Sequence, residues 1–335
     1  MATGPPDDEE ERPETFREWL ILLLRDLAIL GLVFAVALGA LFAYAQVWPP
    51  MVVVESESMQ HSDTESFIGI IDTGDYVLVQ AAPLPGQVVT WVEGRVQNYR
   101  TYGDFGDVII FRPPTNPADT PIIHRALLRL EWNTTSDDGW DAPSLLGLGR
   151  TEWSANRNGT PLSAPYNMNG QLTLRHAGFR GNLEIVVSPT ARRVSGFITI
   201  GDHNADLQGR LGNSANPDGW IVPQANIIGK ARGELPWFGL LKLTIAPEDS
   251  CCRSWGDPRA PRNSWDALTL ALIVIIAGPI AADFGLSWWQ KKRKAAKQEP
   301  AAGDVEPSDA VVDSVDAAPA EEPDAGKPPP DGPSH

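Results

Sequence analysis

Side chains that together support nucleophilic catalysis occur in order along this 335-residue chain. Ser58 lies in the stretch Ser-Glu-Ser-Met, His124 in Ile-Ile-His-Arg, and Asp202 and Asp206 in Gly-Asp-His-Asn-Ala-Asp. A serine hydroxyl becomes a useful nucleophile when a base takes its proton and a third group orients that base. We therefore interpret Ser58 as a candidate nucleophile, His124 as its base and the two aspartates as candidate orienting acids.

The same residues also have a purely structural interpretation. Ser-x-Ser after an apolar segment often forms a turn, Gly-Asp turns are frequent in β proteins, and a histidine between Ile and Arg is often an ordinary strand residue. A membrane-anchored surface protein whose β domain only binds is therefore an alternative. His61, His176 and His203 lack the spacing of a metal site, and we expect no metal and no cofactor.

The composition excludes one class of partner and suggests an environment. The formal net charge is −16, and the only dense basic cluster is Lys291–Lys294, so nucleic acid is not an expected partner. An acidic chain poor in lysine stays soluble in concentrated salt, which is typical of a halophile, although an ordinary acidic protein with an acidic tail has the same composition. The adjacent Cys251 and Cys252 indicate a local structural or free-thiol pair rather than a disulfide framework.

Two apolar runs predict membrane spans. The chain carries no charge from Leu27 to Trp48, which is long enough to cross a bilayer, and a second run from Ala267 to Trp289 contains Pro279 and Asp283. Basic residues precede the first run and follow the second. By the positive-inside rule both termini are expected in the cytoplasm, with the segment between the runs outside the cell membrane.

The segment between the spans has the pattern of an antiparallel β domain. Short β-branched or alternating runs, among them MVVVES, DYVLVQ, QVVTWV, DVIIF, NLEIVV, GFITI and LLKLTI, are separated by Gly, Pro, Asn and Asp. No helix longer than a turn is expected there. Asn133 and Asn158 begin glycosylation sequons on the side predicted to be outside.

The ordered motifs resemble the type I signal peptidases of the archaeal and endoplasmic-reticulum kind. In that family a Ser-x-Ser-Met box follows the first span, an apolar pair with His-Arg carries the base, and Gly-Asp-Asn-Asn with a later Asp closes the site. Here SESM, IIHR and GDHNAD occur in this order, followed by IIGKARGELPWFGLLKLTI, which resembles the closing strand. The resemblance covers roughly residues 25–125 and 195–250.

The resemblance implies a role for each matched residue. Ser58 is the expected nucleophile, and its own backbone N–H and the Ser56 hydroxyl are expected to donate to the oxyanion. Met59 is expected to help wall the substrate pocket. His124 is the expected general base, with Asp206 orienting it and Asp202 a supporting or alternative acid. The lysine used as base by the bacterial branch is excluded, because the first lysine of the chain is Lys230.

The resemblance also implies a segment plan and partners. The expected function is removal of signal peptides from exported preproteins, with the membrane as a second partner and the secretion translocon left open as a third. A dedicated-substrate or inactive homologue remains an alternative. The predicted segments are a cytoplasmic acidic leader (1–19), a first transmembrane helix (20–48), a catalytic β domain in two parts (49–125 and 196–250), an insertion of unknown role (126–195), a linker (251–265), a second transmembrane helix (266–289), and a basic stop with a disordered acidic cytoplasmic tail (290–335).

Overall fold

A computed structural model describes residues 16–136, 138–188, 193–212, 214–247 and 251–298. Most of the predicted leader and the acidic tail lie outside the described residues. The chain divides into two compact units, and the boundary falls between Ile276 and Ala277.

Two long helices, α1 (Phe16–Ala45) and α5 (Arg262–Gln298), have the length and apolar composition needed to cross a membrane. Helix α1 ends at Ala45, earlier than expected, and the chain reaches Pro49 and Pro50 in an irregular segment. Proline lacks the N–H that a helix interior requires, which favours this early end. Helix α5 begins before the predicted apolar run and contains Pro279. Nearly all described side chains of α1 are exposed.

The largest element is an antiparallel sheet of seven strands. Its main path runs β1, β2, β13, β5, β6, β12, and β7 pairs with the far part of β6. These strands are β1 (Met51–Val53), β2 (Tyr76–Gln80), β5 (Val108–Phe111), β6 (Ile122–Trp132), β7 (Trp140–Asp141), β12 (Gly196–Ile200) and β13 (Ile227–Leu235). The predicted strands MVV, YVLVQ, VIIF and GFITI are therefore confirmed.

A second antiparallel sheet of four strands forms from residues 153–187. Its order is β11, β10, β8, β9, from the strands β8 (Trp153–Arg157), β9 (Thr160–Pro161), β10 (Leu172–Ala177) and β11 (Leu183–Val187). A separate hairpin joins β3 (Arg100–Thr101) and β4 (Asp104–Phe105). The expectation of a mostly β, antiparallel protein with two apolar helices is met by these elements.

Three short helices interrupt the β domain, and the prediction of no helix there was wrong. Helix α2 (Trp91–Gln97) is capped by Thr90. The Thr90 hydroxyl accepts a hydrogen bond from the Glu93 N–H, and the Glu93 carboxylate accepts one from the Thr90 N–H. This capping box overrides the β-branched sequence QVVTWV. The other two are α3 (Asp202–Arg210) and α4 (Gly239–Ile245).

Helix α4 corrects the expectation of a closing strand that runs through LLKLTI. Strand β13 ends at Leu235, directly before Pro236, and α4 then buries Leu240 and Leu243. Leu240 and Leu243 are three residues apart, so a helix places both on one face. A strand would place them on opposite faces, because side chains alternate along it.

The main core connects the two sheets. One apolar cluster combines residues of α2, β6 and β12 with Trp153, Leu172, Leu174 and Ile185 of the four-stranded sheet. The four-stranded sheet therefore packs onto the larger one through a shared core. A separate cluster joins α4 to the start of α5 and contains Cys251 and Cys252. These two cysteines form a disulfide with each other, so the expected local pair is bridged rather than two free thiols.

Candidate functional site

Ser58 lies in a short turn directly after β1. The turn is a 3-10 helix, Glu57–Met59, and Ser58 is partly exposed while Met59 beside it is buried. The Ser58 hydroxyl oxygen is 3.4 Å from that of Ser56. A hydroxyl at the surface of a turn whose neighbour is fixed in the core is accessible and still held in place.

His124 lies on β6, opposite Ile109 of β5, and its side chain is buried with 8% exposed. Its ring approaches the Ser58 turn at Gly201. A Cβ atom placed on Gly201 would lie 2.4 Å from the Ser58 carbonyl oxygen and 2.9 Å from Nε2 of His124. Both groups therefore border the same small space, and only glycine fits between them. This close approach explains the glycine of the Gly-Asp sequence.

Asp218 is the acid that contacts His124. Its carboxylate oxygen Oδ2 is 2.7 Å from Nδ1 of His124 and accepts a hydrogen bond from the Thr199 hydroxyl at 2.5 Å. The Asp218 N–H also donates to the Thr199 carbonyl oxygen at 2.9 Å. Two hydrogen bonds thus fix Asp218 to β12. A carboxylate on Nδ1 favours the tautomer that leaves Nε2, on the Ser58 side, as the acceptor.

A bulge next to the site sets the direction of these side chains. The pairing of β12 with β6 is regular from Gly196 to Ile198 and shifts before Thr199, which pairs with Ala126. Alternate residues of a strand share a face, so Thr199, opposite Ala126, is on the face of His124. Bulges frequently redirect side chains beside functional sites.

Asp202 serves a different contact from the one expected. It receives two hydrogen bonds from the buried Arg125 guanidinium, at 2.8 and 2.6 Å, and its Oδ2 is 3.0 Å from Nε2 of His61. Burial opposes the charged carboxylate, but Arg125 and the hydrogen bond to His61 outweigh it and lower the pKa of Asp202 to about 2. Asp202 therefore fixes the start of α3 against β6.

Asp206 does not contact His124, which corrects its predicted role as orienting acid. Its two carboxylate oxygens bind Arg180 at 2.8 Å and Arg210 at 3.1 Å. Asp206 lies one helical turn after Asp202 in α3 and contacts the turn that precedes β11 through Arg180. The residues of GDHNAD therefore begin a helix, rather than forming a loop that brings Asp206 to His124.

Met59 also differs from its expected place. It is 1% exposed and packs among Val54, Ile71 and Val77 in the core beneath the turn. It supports the Ser58 turn from below rather than lining an open pocket wall. Ser56, by contrast, is exposed, and its hydroxyl oxygen lies 3.4 Å from that of Ser58.

Asp218 was not among the predicted site residues. It occurs in Asn-Pro-Asp-Gly, a typical turn sequence, and the chain from Asp202 to Asp218 includes helix α3. Two features of the sequence could have indicated Asp218: it follows the strand GFITI, and it precedes the closing strand β13. An acid after an inserted helix is recognisable only when the helix itself is recognised.

No group of three or more His, Cys, Asp or Glu side chains within the described parts of the chain has the geometry to hold a metal ion. The residues that the structure brings together here are the Ser58 turn, His124 and Asp218, with Asp218 hydrogen-bonded to the imidazole and Nε2 facing the Ser58 turn across Gly201. In comparison with known proteins, no family model and no curated protein sequence matches this chain.

Proposed function

We propose that this protein is a membrane-bound serine endopeptidase that removes amino-terminal signal peptides from exported preproteins. The observation that carries the proposal is the series Asp218, His124, Ser58. The carboxylate lies 2.7 Å from Nδ1 of the ring, and Nε2 borders the same glycine-sized gap as the Ser58 turn. A binding surface has no need of a buried imidazole held in one tautomer beside a partly exposed serine.

The proposed reaction follows from the position of these groups. The Ser58 hydroxyl attacks the scissile carbonyl carbon while Nε2 of His124 takes the hydroxyl proton, and Asp218 stabilises the resulting imidazolium through Nδ1. The proton then passes to the leaving amine, and the acyl group remains on Ser58. Water, deprotonated by His124, hydrolyses the acyl-enzyme. The Ser58 backbone N–H and the Ser56 hydroxyl are the proposed oxyanion donors.

The two lysines of the β domain are held by other groups. The buried Lys230, the first lysine of the chain, donates to the Gln87 carbonyl oxygen and lies 3.3 Å from an Asp107 carboxylate oxygen. Lys242 donates to a Glu55 carboxylate oxygen at 2.8 Å. We therefore assign the role of base to His124 rather than to a lysine.

The location of the serine fits a substrate that emerges from a membrane. Ser58 follows the end of α1 by a short segment, so a nucleophile tethered to a membrane helix stays close to the bilayer surface. Strand β1, which leads into the Ser58 turn, is at one end of the sheet path and pairs with β2. We propose that the substrate adds to this edge in an extended conformation. Shallow sites for small alternate side chains would favour Ala-x-Ala-like sequences.

The test is cleavage of an exported preprotein by the full-length protein in detergent at high salt. Wild type should release the mature product, and Ser58→Ala and His124→Ala should each lose at least about a thousandfold in kcat. The matched controls are Ser62→Ala and His176→Ala, which change a nearby serine and an exposed histidine outside the series. Terminal sequencing of the product identifies the cut.

Two results would contradict the proposal. If Ser58→Ala and His124→Ala cleave as well as wild type, the site assignment is wrong. If wild type neither cuts any member of a panel of preproteins nor reacts at Ser58 with a serine-directed fluorophosphonate, the protein is a binding protein or an inactive homologue rather than a peptidase. Cleavage of a single member of the panel would identify a dedicated-substrate enzyme.

A further inference from the structure

The turn between β10 and β11 reaches from the four-stranded sheet to the segment that follows Ser58. The ring of Phe179 in this turn stacks on the ring of His61, with centroids 3.8 Å apart and an angle of 8° between the planes. His61 is three positions after Ser58. The four-stranded sheet therefore contacts the candidate nucleophile's own segment.

Three separate elements hold the His61 ring. Phe179 covers one face of the ring. Nε2 of His61 lies 3.0 Å from the Asp202 carboxylate at the start of α3. A Cβ on Gly103, in the turn between β3 and β4, would lie 2.7 Å from Cε1 of His61. Gly103 has a φ of +82°, so the backbone itself approaches the ring there. These three contacts hold the His61 ring in one position, and they thereby restrain the segment that carries Ser58.

The next residue of the same turn contacts α3. Arg180 donates to the Asp206 carboxylate at 2.8 Å, and a Cβ on Gly209 of α3 would lie 2.1 Å from a methyl carbon of Leu183 on β11. Helix α3 follows Gly201, the residue that separates Ser58 from His124. The four-stranded sheet thus contacts the segment that follows Ser58 and the helix that follows Gly201.

We propose that the turn carrying Phe179 and Arg180 is a positioning element of the Ser58–His124 site, and that Phe179 sets the location of Ser58 through His61. The inference rests on the proposed peptidase function. Phe179 contacts His61 rather than substrate, so it is a positioning residue. Reacting groups must be held to a fraction of an ångström, and misplacement of about 1 Å is enough to cost about a hundredfold in rate.

The first experiment compares Phe179→Ala with Phe179→Tyr and with the control Tyr166→Ala. Tyr166 is an exposed aromatic side chain in the same part of the chain, 43% exposed. We expect Phe179→Ala to lower kcat for preprotein cleavage by about 10- to 100-fold with KM changed less than about threefold. Phe179→Tyr keeps a stacking ring, so its kcat should lie within about threefold of the wild-type value. The kcat of the control Tyr166→Ala should lie within the same range.

A second measurement is independent of peptidase activity. In a Ser58→Cys background, iodoacetamide alkylation of residue 58 is followed by mass spectrometry of its peptide, with and without Phe179→Ala. Removal of the Phe179 ring should slow alkylation about tenfold, because a thiol moved away from His124 loses the base that forms its thiolate. The folded fraction of each variant, measured by its thermal transition in detergent, corrects both rates.

The outcomes separate this inference from the proposed function. A kcat for Phe179→Ala within about twofold of wild type, after correction for folded protein, overturns the positioning role, as does failure of Phe179→Tyr to restore activity. If wild type does not cleave at all, the peptidase proposal fails and the alkylation rates decide: slower alkylation of the Phe179→Ala variant supports positioning by Phe179, and equal or faster alkylation overturns it.

Discussion

The seven-stranded sheet with its flanking segments and the four-stranded sheet differ in the kind of side chain that each buries. The first region buries charged groups, including Asp72, Asp107, Arg125 and Asp202. Among the described residues from 133 to 195, all buried side chains that form the core are apolar, with Trp153, Leu172 and Leu174 as examples. The two sheets share one core, but only one of them contains buried charge.

Buried charge destabilises a fold unless it is paired and hydrogen-bonded, and the first region meets that condition at its centre. Arg125 binds Asp202 and also donates to the carbonyl oxygens of Thr101, Phe105 and Tyr102. This network lies directly beside His124 on β6. The larger sheet therefore provides the polar surroundings of the candidate site, whereas the smaller one supplies apolar packing and the proposed positioning turn with Phe179 and Arg180.

The sharpest test of the comparison is the acid of the proposed site. Asp218→Asn removes the charge that orients His124 and stabilises the imidazolium, so kcat should fall by about ten thousandfold, as in the Ser-His-Asp template. Asp138→Asn is the matched control. It weakens an ion pair between a half-exposed Asp138 and Arg157, and kcat should stay within about twofold of wild type. Equal losses in the two variants would contradict the assignment of Asp218.

A smaller effect is expected from a buried carboxyl that the proposed reaction does not use. Burial raises the pKa of Asp72 to about 7. The unfolded chain releases this proton near pH 4 and the folded chain near pH 7, so the unfolding free energy of wild type should decrease as the pH rises through that window. Asp72→Asn has no such proton. Between pH 4 and pH 8, the unfolding free energy of Asp72→Asn should therefore rise by at most about 4 kcal/mol relative to that of wild type.

The measurement for Asp72 is denaturant unfolding in detergent across this pH range. Parallel curves for wild type and Asp72→Asn would show that this buried carboxyl places no cost on the larger sheet. That result would weaken the contrast between the two sheets.

The smallest effect belongs to the four-stranded sheet. Leu174 on β10 is fully buried, and Leu174→Ala should lower the unfolding free energy by about 3 kcal/mol through lost burial and a cavity. Leu146→Ala, at a leucine that is 59% exposed, should change it by less than about 0.5 kcal/mol. In both variants kcat per folded molecule should stay within about twofold of wild type, since both side chains lie outside the proposed positioning turn. A kcat loss in Leu174→Ala without loss of stability would contradict the packing role.

The sequence by itself determined the elements with strong local signals. Continuous apolar runs longer than a bilayer is thick gave α1 and α5, and β-branched runs bounded by Gly, Pro and Asp gave β1, β2, β5 and β12. Ser58 and His124 were candidates because their residue types and order suit nucleophilic chemistry. Helix α2 was missed because its capping box outweighed the strand propensity of QVVTWV, and α4 because the packing of Leu240 and Leu243 outweighed that of LLKLTI. Helix α3 was missed because GDHNAD was interpreted as a loop motif.

Only the tertiary structure decided which acid meets the base. Asp206 is close to the motif in sequence, but α3 turns it toward Arg180 and Arg210, whereas Asp218 returns beside β12 and reaches Nδ1 of His124. The structure likewise brought Phe179 onto His61 from a sheet more than a hundred positions away. Contacts of this kind depend on how separate elements pack, and a local pattern of residue types carries no record of the distance between them.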